Sequence, residues 1–235
     1  MKKIIFLMIL FVGVGLSTHA SDDIDKALTP IEENEVQTRI ENVGVKILNS
    51  NKIDTHMVFL YSDLKKEELL NIDKTLHSGQ VIVYKDIYKF IEDDNELAAG
   101  ISRGILYSLK SLKGIFGGTL PALQMRAAPK KFELVADKCG VDFMVQAGYN
   151  PLAMITFINK TVPQKRHDLV SNKNLASKRM AIIYEYIYTK YPYYLKNNEY
   201  IDNIHYQNFL LTSQANRKLL EEKIKNNSNE RLHYE

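Results

Sequence analysis

The segment that decides the fold, residues 95–108, reads NELAAGISRGILYS. Asp93 and Asp94 come directly before it, and short acidic side chains at a helix start accept hydrogen bonds from unpaired backbone N–H groups. The sequence therefore predicts a helix that begins at these aspartates and runs to about residue 112. Gly100 and Gly104, four residues apart in this helix, would let another segment approach it closely.

Further helices and two strands are predicted around this segment. Apolar residues at helical spacing predict an amphipathic helix over residues 30–48, and similar patterns predict helices over 130–146 and 176–192 and near 209–224. Two β-prone runs, residues 55–61 and 80–85, are expected to pair as an antiparallel sheet, with Gly79 at a turn. The predicted fold class is therefore α+β and mostly α-helical, with a small antiparallel sheet.

The first 20 residues have the features of a secretory signal peptide. Two lysines precede an apolar run that is too short for a comfortable membrane span, and small and polar residues ending at Ala20 follow it. We expect an exported protein, periplasmic or secreted, without a membrane anchor once the signal is cleaved. The predicted organisation is a signal peptide (1–20), a main domain (21–195), and a C-terminal helix with a disordered polar tail (196–235).

The overall charge indicates no nucleic-acid partner. The chain has 31 basic and 28 acidic residues, and loss of Lys2 and Lys3 with the signal reduces the net charge from +3 to +1. Its single cysteine, Cys139, lies far from the cleavage point, so neither an internal disulfide nor a lipid anchor at the new N-terminus is expected.

Several segments together carry a resemblance to a known family. They are SGQVIVY at residues 78–84, ELAAGISRGILYS at 96–108, ELVAD at 133–137 and GYNP at 148–151. In order and spacing the chain resembles the HtpX-like and CAAX-prenyl-protease-related zinc metallopeptidases, peptidase family M forty-eight, and among them the exported bacterial members. The resemblance covers residues 58–187 and implies a gluzincin-like domain.

In this family the central helix carries an H-E-x-x-H motif, whose histidines bind Zn²⁺ and whose glutamate accepts a proton from the metal-bound water. Aligned on Glu96, the first histidine position is Arg103, the glutamate position is Gly104, and the second histidine position is Tyr107. All three positions are substituted. Because none of the six histidines has another histidine four residues away, no displaced H-E-x-x-H exists elsewhere in the chain.

The second helix of the motif is retained. The resemblance implies that Glu133 stands at the third zinc-ligand position and Asp137 at the position that orients a ligand histidine. Lys173 stands where the family often has a further histidine, and Arg179 matches a family arginine. One carboxylate cannot hold a catalytic zinc ion, so the degenerate site is expected to bind no metal and to have no catalytic residue.

A buried Glu133 would need a cationic partner. We therefore hypothesise that Arg103 replaces the metal by a bidentate pair with Glu133, and that the hydroxyl of Tyr107 donates to Asp137. The plain alternative is that these side chains are ordinary solvated residues on helix faces.

Three functions remain open. The favoured one is an inactive pseudopeptidase that binds a polypeptide or an envelope protein in envelope quality control. The second is a zinc-dependent metalloendopeptidase with unusual metal ligands. The third is a purely structural role with a collapsed cleft.

Overall fold

The computed structural model of the chain describes residues 30–64, 79–112, 129–162 and 175–234, and the predicted signal peptide therefore lies outside the described residues. The elements in chain order are α1 (Pro30–Ser50), β1 (Val58–Ser62), β2 (Gln80–Tyr84), α2 (Lys85–Tyr88), α3 (Asp94–Leu112), α4 (Pro129–Gln146), α5 (Ala153–Thr161), α6 (Ala176–Lys190), α7 (Pro192–Lys196), α8 (Ile204–Thr212) and α9 (Gln214–Lys225). The protein is α+β and mostly helical. Within the described ranges, no helix has both the length and the apolar character needed to cross a membrane.

Helix α3 lies at the centre and packs against α1, α4, α5 and β2. It begins where the sequence predicts, because the carboxylate of Asp93 accepts a hydrogen bond from the backbone N–H of Glu96 at 2.7 Å. Its residues Leu97, Ala98 and Ala99 are fully buried. The run of small and apolar residues after the cap thus allows neighbouring elements to surround the helix.

The predicted antiparallel sheet is wrong, because β1 and β2 pair in parallel, with Val58 opposite Gln80 and Ser62 opposite Tyr84. Residues 63–79 separate the two strands, and a connection of about a dozen residues or more lets the chain cross over and return in the same direction. Gly79, with a φ of 55°, stands directly before β2 and does not form a tight turn between the strands.

Two glycines allow the sheet to lie directly on the helices. A Cβ atom at Gly44 of α1 would lie 2.5 Å from the ring of Phe59 in β1, and one at Gly104 of α3 would lie 2.6 Å from Cγ1 of Val81 in β2. Phe59 and Val81 are opposite each other in the strand register, so both point to the same, buried face of the sheet. The expectation that Gly104 admits another segment is therefore confirmed.

The C-terminal region differs from its prediction in two respects. Two helices, α8 and α9, meet at the buried Ser213 where one was predicted. The expectation of a disordered tail is wrong at its end, since Tyr234 is buried and its hydroxyl donates to Oε2 of Glu185 in α6 at 3.0 Å. Burial of one aromatic side chain attaches an otherwise polar segment to the helical body.

The contact between Gly44 and Phe59 gives a stability prediction. In an open helix, Gly→Ala stabilises by about 1 kcal/mol. Gly44→Ala is instead expected to destabilise by about 1–3 kcal/mol, because the new methyl group must displace the Phe59 ring or separate α1 from β1. Urea denaturation measures the difference.

The matched control is Val45→Ala, one residue along the same helix, where the side chain is 48% exposed. This change is expected to alter the free energy of unfolding by no more than about 0.5 kcal/mol. A Gly44→Ala protein as stable as wild type would contradict the close packing of Phe59 on α1.

Candidate functional site

The candidate site lies between α3 and α4, which run in opposite directions. At one end the ring of Tyr107 meets that of Phe132, with centroids 4.7 Å apart. At the other end the carboxamide oxygen of Asn95 accepts a hydrogen bond from the backbone N–H of Asn150 at 2.9 Å. This alignment places Arg103 beside Asp137, between the two ends.

The third element of the site is α6, which contributes Arg179. Its Nε and Nη2 atoms donate to the two carboxylate oxygens of Asp137 at 2.8 and 2.9 Å. Its Nη1 atom lies 3.1 Å from Oε1 of Glu133. One guanidinium group therefore makes a two-bond pair with Asp137 and a further ion pair with Glu133, and it links α6 to α4.

Arg103 of α3 supplies the second cation, and its Nη1 donates to Oδ1 of Asp137. The hypothesis that Arg103 pairs with Glu133 is thus corrected. The ion pair described for Arg103 is with Asp137, one helical turn further along α4, while Arg179 makes the ion pair with Glu133. Glu133 still favours the charged form of Arg103 through Coulombic attraction. The idea that a cation bridges the helices holds, with two arginines in place of one.

Tyr107 lies beside this cluster, and its partner also differs from the expected one. Its hydroxyl interacts with Arg103, whereas the hypothesis assigned it to Asp137. Burial raises the pKa of Tyr107, and the guanidinium of Arg103 opposes the rise. The phenol is therefore neutral at physiological pH.

All four charged side chains are removed from solvent. Asp137 is fully buried, Arg179 and Arg103 are 2% and 3% exposed, and Glu133 is 9% exposed. The alternative that these four charged side chains are ordinary solvated residues on helix faces is therefore wrong. With two guanidinium groups and two carboxylates, the cluster is neutral when both acids are ionised. Burial raises the pKa of Asp137 to about 7, against the opposing effect of Arg103.

The structure brings Arg103, Tyr107, Glu133, Asp137 and Arg179 together. Lys173 lies outside the described residues. The five residues that the structure brings together come from three helices, α3, α4 and α6.

The residues present do not fit a zinc ion. A ligand set needs free lone pairs directed at one point, but the carboxylates of Glu133 and Asp137 already accept guanidinium N–H groups. The Gly104 position has no space for a glutamate side chain, since Val81 lies where its first carbon would be placed. In the described ranges, no group of three or more His, Cys, Asp and Glu side chains could hold a metal ion.

A second buried ion pair on α3 was not predicted from the sequence. Glu96 is 1% exposed, and its carboxylate accepts hydrogen bonds from Nζ of Lys160 at 2.9 Å and from the hydroxyl of Thr156 at 2.7 Å. Both partners lie on α5. Two features of the sequence could have indicated this pair. Glu96 is an acidic residue within an otherwise apolar face of α3, and Lys160 is a single lysine at the end of the apolar helix α5.

Comparison with known proteins gives no relative: no family model, no curated protein and no solved structure matches the chain.

The central role of Arg179 can be tested by its removal. Arg179→Met is expected to destabilise by about 3–5 kcal/mol at pH 8, because it leaves two buried carboxylates with only Arg103 between them. Loss of the cation also raises the pKa of Asp137 above that of the wild-type protein. The folded variant then binds extra protons as the pH falls. The difference in the free energy of unfolding between the variant and wild type is therefore expected to be smaller at pH 5.5 than at pH 8.

The measurement is urea denaturation at the two pH values. Lys190→Met is the matched control on the same helix, because its ammonium group pairs with Asp142 at 2.8 Å but its side chain is 47% exposed. We expect about 1 kcal/mol or less from this change at either pH. If Arg179→Met cost no more than Lys190→Met at pH 8, the cluster would not be a main source of stability.

Proposed function

We propose that the protein is a metallopeptidase-like pseudoenzyme, gluzincin-like in fold, that binds extended polypeptide without hydrolysing it, in the periplasm or outside the cell. The observation that carries the proposal is the pairing of Arg103 and Arg179 with Asp137 and Glu133. The resemblance implies that the metallopeptidases hold zinc between the helices that correspond to α3 and α4.

The proposed lack of hydrolysis follows from the chemistry of these residues. A peptide bond is cleaved at such a site by a water molecule that loses a proton to a general base. Gly104 has no side chain to act as that base, and Tyr107 carries a phenol whose pKa is raised. The carboxyl group of Asp137 is fully buried and accepts hydrogen bonds from both arginines, and that of Glu133 is paired with Arg179, so neither is placed to take a proton from a substrate water.

The proposed binding surface is the outward backbone of Ile82, in the middle of the outer edge of β2. The backbone N–H of Val58 donates to the carbonyl oxygen of Gly79 at 2.9 Å. This bond determines which residues of the two parallel strands direct their backbone N–H and C=O groups towards the other strand. Because backbone groups alternate along a strand, Val81 and Val83 direct their N–H and C=O groups towards β1, and Ile82 directs its own outward. No described residue hydrogen-bonds to those outward groups of Ile82.

The opposite edge of the sheet is already covered. The side chain of Gln37 in α1 donates to the carbonyl oxygen of Phe59 at 2.8 Å and accepts from the N–H of Tyr61 at 2.7 Å. It therefore satisfies the outward backbone groups of β1 in the way that another strand would. An added strand is favoured at β2, where main-chain hydrogen bonds allow binding with little sequence preference. Envelope quality control, in which unfolded chains must be recognised, is the proposed setting.

Metal content and proteolysis test the absence of hydrolysis. The purified protein is incubated with excess zinc and then dialysed. We expect it to retain far less than one zinc ion per chain, as measured by elemental mass spectrometry. We also expect no cleavage of unfolded casein, with or without a chelator. One tightly bound zinc ion per chain together with chelator-sensitive cleavage would establish the metalloendopeptidase alternative.

Strand addition is tested at Ile82. Ile82→Pro removes the outward N–H and retains the inward ladder, since proline is tolerated at an edge strand when its N–H side faces outward. Binding of a fluorescent, permanently unfolded polypeptide, reduced and carboxymethylated α-lactalbumin, is expected to weaken by about tenfold, the loss of one or two hydrogen bonds.

The control is Ile82→Thr, which retains the N–H group and the strand propensity, and which we expect to bind like wild type. Circular dichroism and the unfolding midpoint verify that both variants fold. If the wild-type protein did not bind the unfolded polypeptide, the structural role with a closed site would be favoured. If Ile82→Pro bound the unfolded polypeptide as tightly as wild type, the binding site would not be the edge of β2.

A further inference from the structure

An open groove lies on another part of the molecule, between α1 and the start of α3. Its volume is about 530 Å³, which is within the usual range for ligand pockets of about 300–1,000 Å³. One wall is the polar face of α1, and the other includes Asp94 and the ring of Tyr149, with the buried Val43 at its floor. None of these residues belongs to the Arg103 cluster.

The α1 wall is a straight polar stripe. Glu35, Arg39, Asn42 and Lys46 recur at spacings of four, three and four residues, so they lie on one face over three turns. With a rise of 1.5 Å per residue, the α-carbons of Glu35 and Lys46 are about 16 Å apart along the helix axis. The groove therefore has an acidic end and a basic end.

The two charges in the middle of the groove neutralise each other. Nε of Arg39 donates to Oδ1 of Asp94 at 2.7 Å, and its Nη1 donates to the hydroxyl of Tyr88 at 2.9 Å. This pair joins the two walls of the groove and leaves no net charge at its centre.

The charges at the two ends are not neutralised in this way. Among the described residues, neither Glu35 nor Lys46 takes part in an ion pair. Nζ of Lys46 instead lies 4.1 Å from the centroid of the Tyr149 ring. A cation over an aromatic face is held in place but retains its hydrogen-bond donors for an anion.

We propose that this groove binds a short peptide with free termini, its ammonium group at Glu35 and its carboxylate at Lys46. An extended chain advances about 3.3 Å per residue, so five residues span the distance between the two charges. The carboxamide of Asn42 lies between the ends and can both donate to and accept from a peptide backbone. This inference goes beyond the binding of long polypeptide at β2, which requires neither terminus of the bound chain.

The experiment uses four forms of pentaalanine: free, N-acetylated, C-amidated and blocked at both ends. Binding to the full chain is followed by chemical-shift changes in NMR spectra at low ionic strength. The free peptide is expected to bind most tightly, and each blocked terminus is expected to weaken binding about two- to fivefold, as is usual for an exposed ion pair. Added salt is expected to reduce the difference between the four forms.

Variants of the protein assign each end of the peptide. In Lys46→Met the free and C-amidated peptides are expected to bind equally, while the effect of N-acetylation remains. In Glu35→Gln the free and N-acetylated peptides are expected to bind equally. Lys225→Met, at an exposed position of α9, is the control and is expected to leave both differences unchanged.

Equal affinities for all four peptides would overturn the proposal, as would the absence of saturable binding or insensitivity to both groove variants. Ile82→Pro separates this site from β2: it is expected to leave pentaalanine binding unchanged. A failure of groove binding is therefore distinguishable from a failure of strand addition.

Discussion

The carboxylate of Asp137 is the group on which the arrangement of three helices depends. It is fully buried on α4 and receives N–H groups from Arg103 of α3 and Arg179 of α6. A buried carboxylate without partners costs several kcal/mol, and so does each buried guanidinium. The three helices can therefore pack only in a register that brings these groups together. The surrounding apolar residues stabilise the core, while the charges restrict which core can form.

Guanidinium groups and a metal ion solve the same electrostatic problem in different ways. Both place positive charge between acidic side chains on neighbouring helices. A metal ion with an open coordination position can also bind and activate water. Arg103 and Arg179 have no such position, because a guanidinium group only donates N–H groups and cannot coordinate a water molecule as a metal ion does.

Helix α3 carries a second charged contact that acts in the same way. Glu96, two turns before Arg103, is held by Lys160 and Thr156 of α5. The two buried pairs lie at separate points along one helix and are directed at different partners. A shift of α3 by one turn would leave both Glu96 and Arg103 without their partners, so the pairs together define the position of the central helix. Gly104 adds a steric condition, since a Cβ atom there would lie 2.6 Å from Cγ1 of Val81 in β2.

The sequence alone determined the helical parts of the fold and named most members of the buried charge cluster. Caps, apolar periodicity and prolines are local signals, and for that reason the bounds of α1, α3, α4 and α6 were predicted closely. Strand direction and charge pairing were decided by the tertiary structure. The direction of β2 depends on the path of a long connection, and local sequence does not encode that path. The choice between Glu133 and Asp137 as the partner of Arg103 depends on the relative position of two helices and on Arg179, which approaches from a third. A spacing of four residues puts both acids on one helix face, but only packing in three dimensions decides which of them each cation can reach.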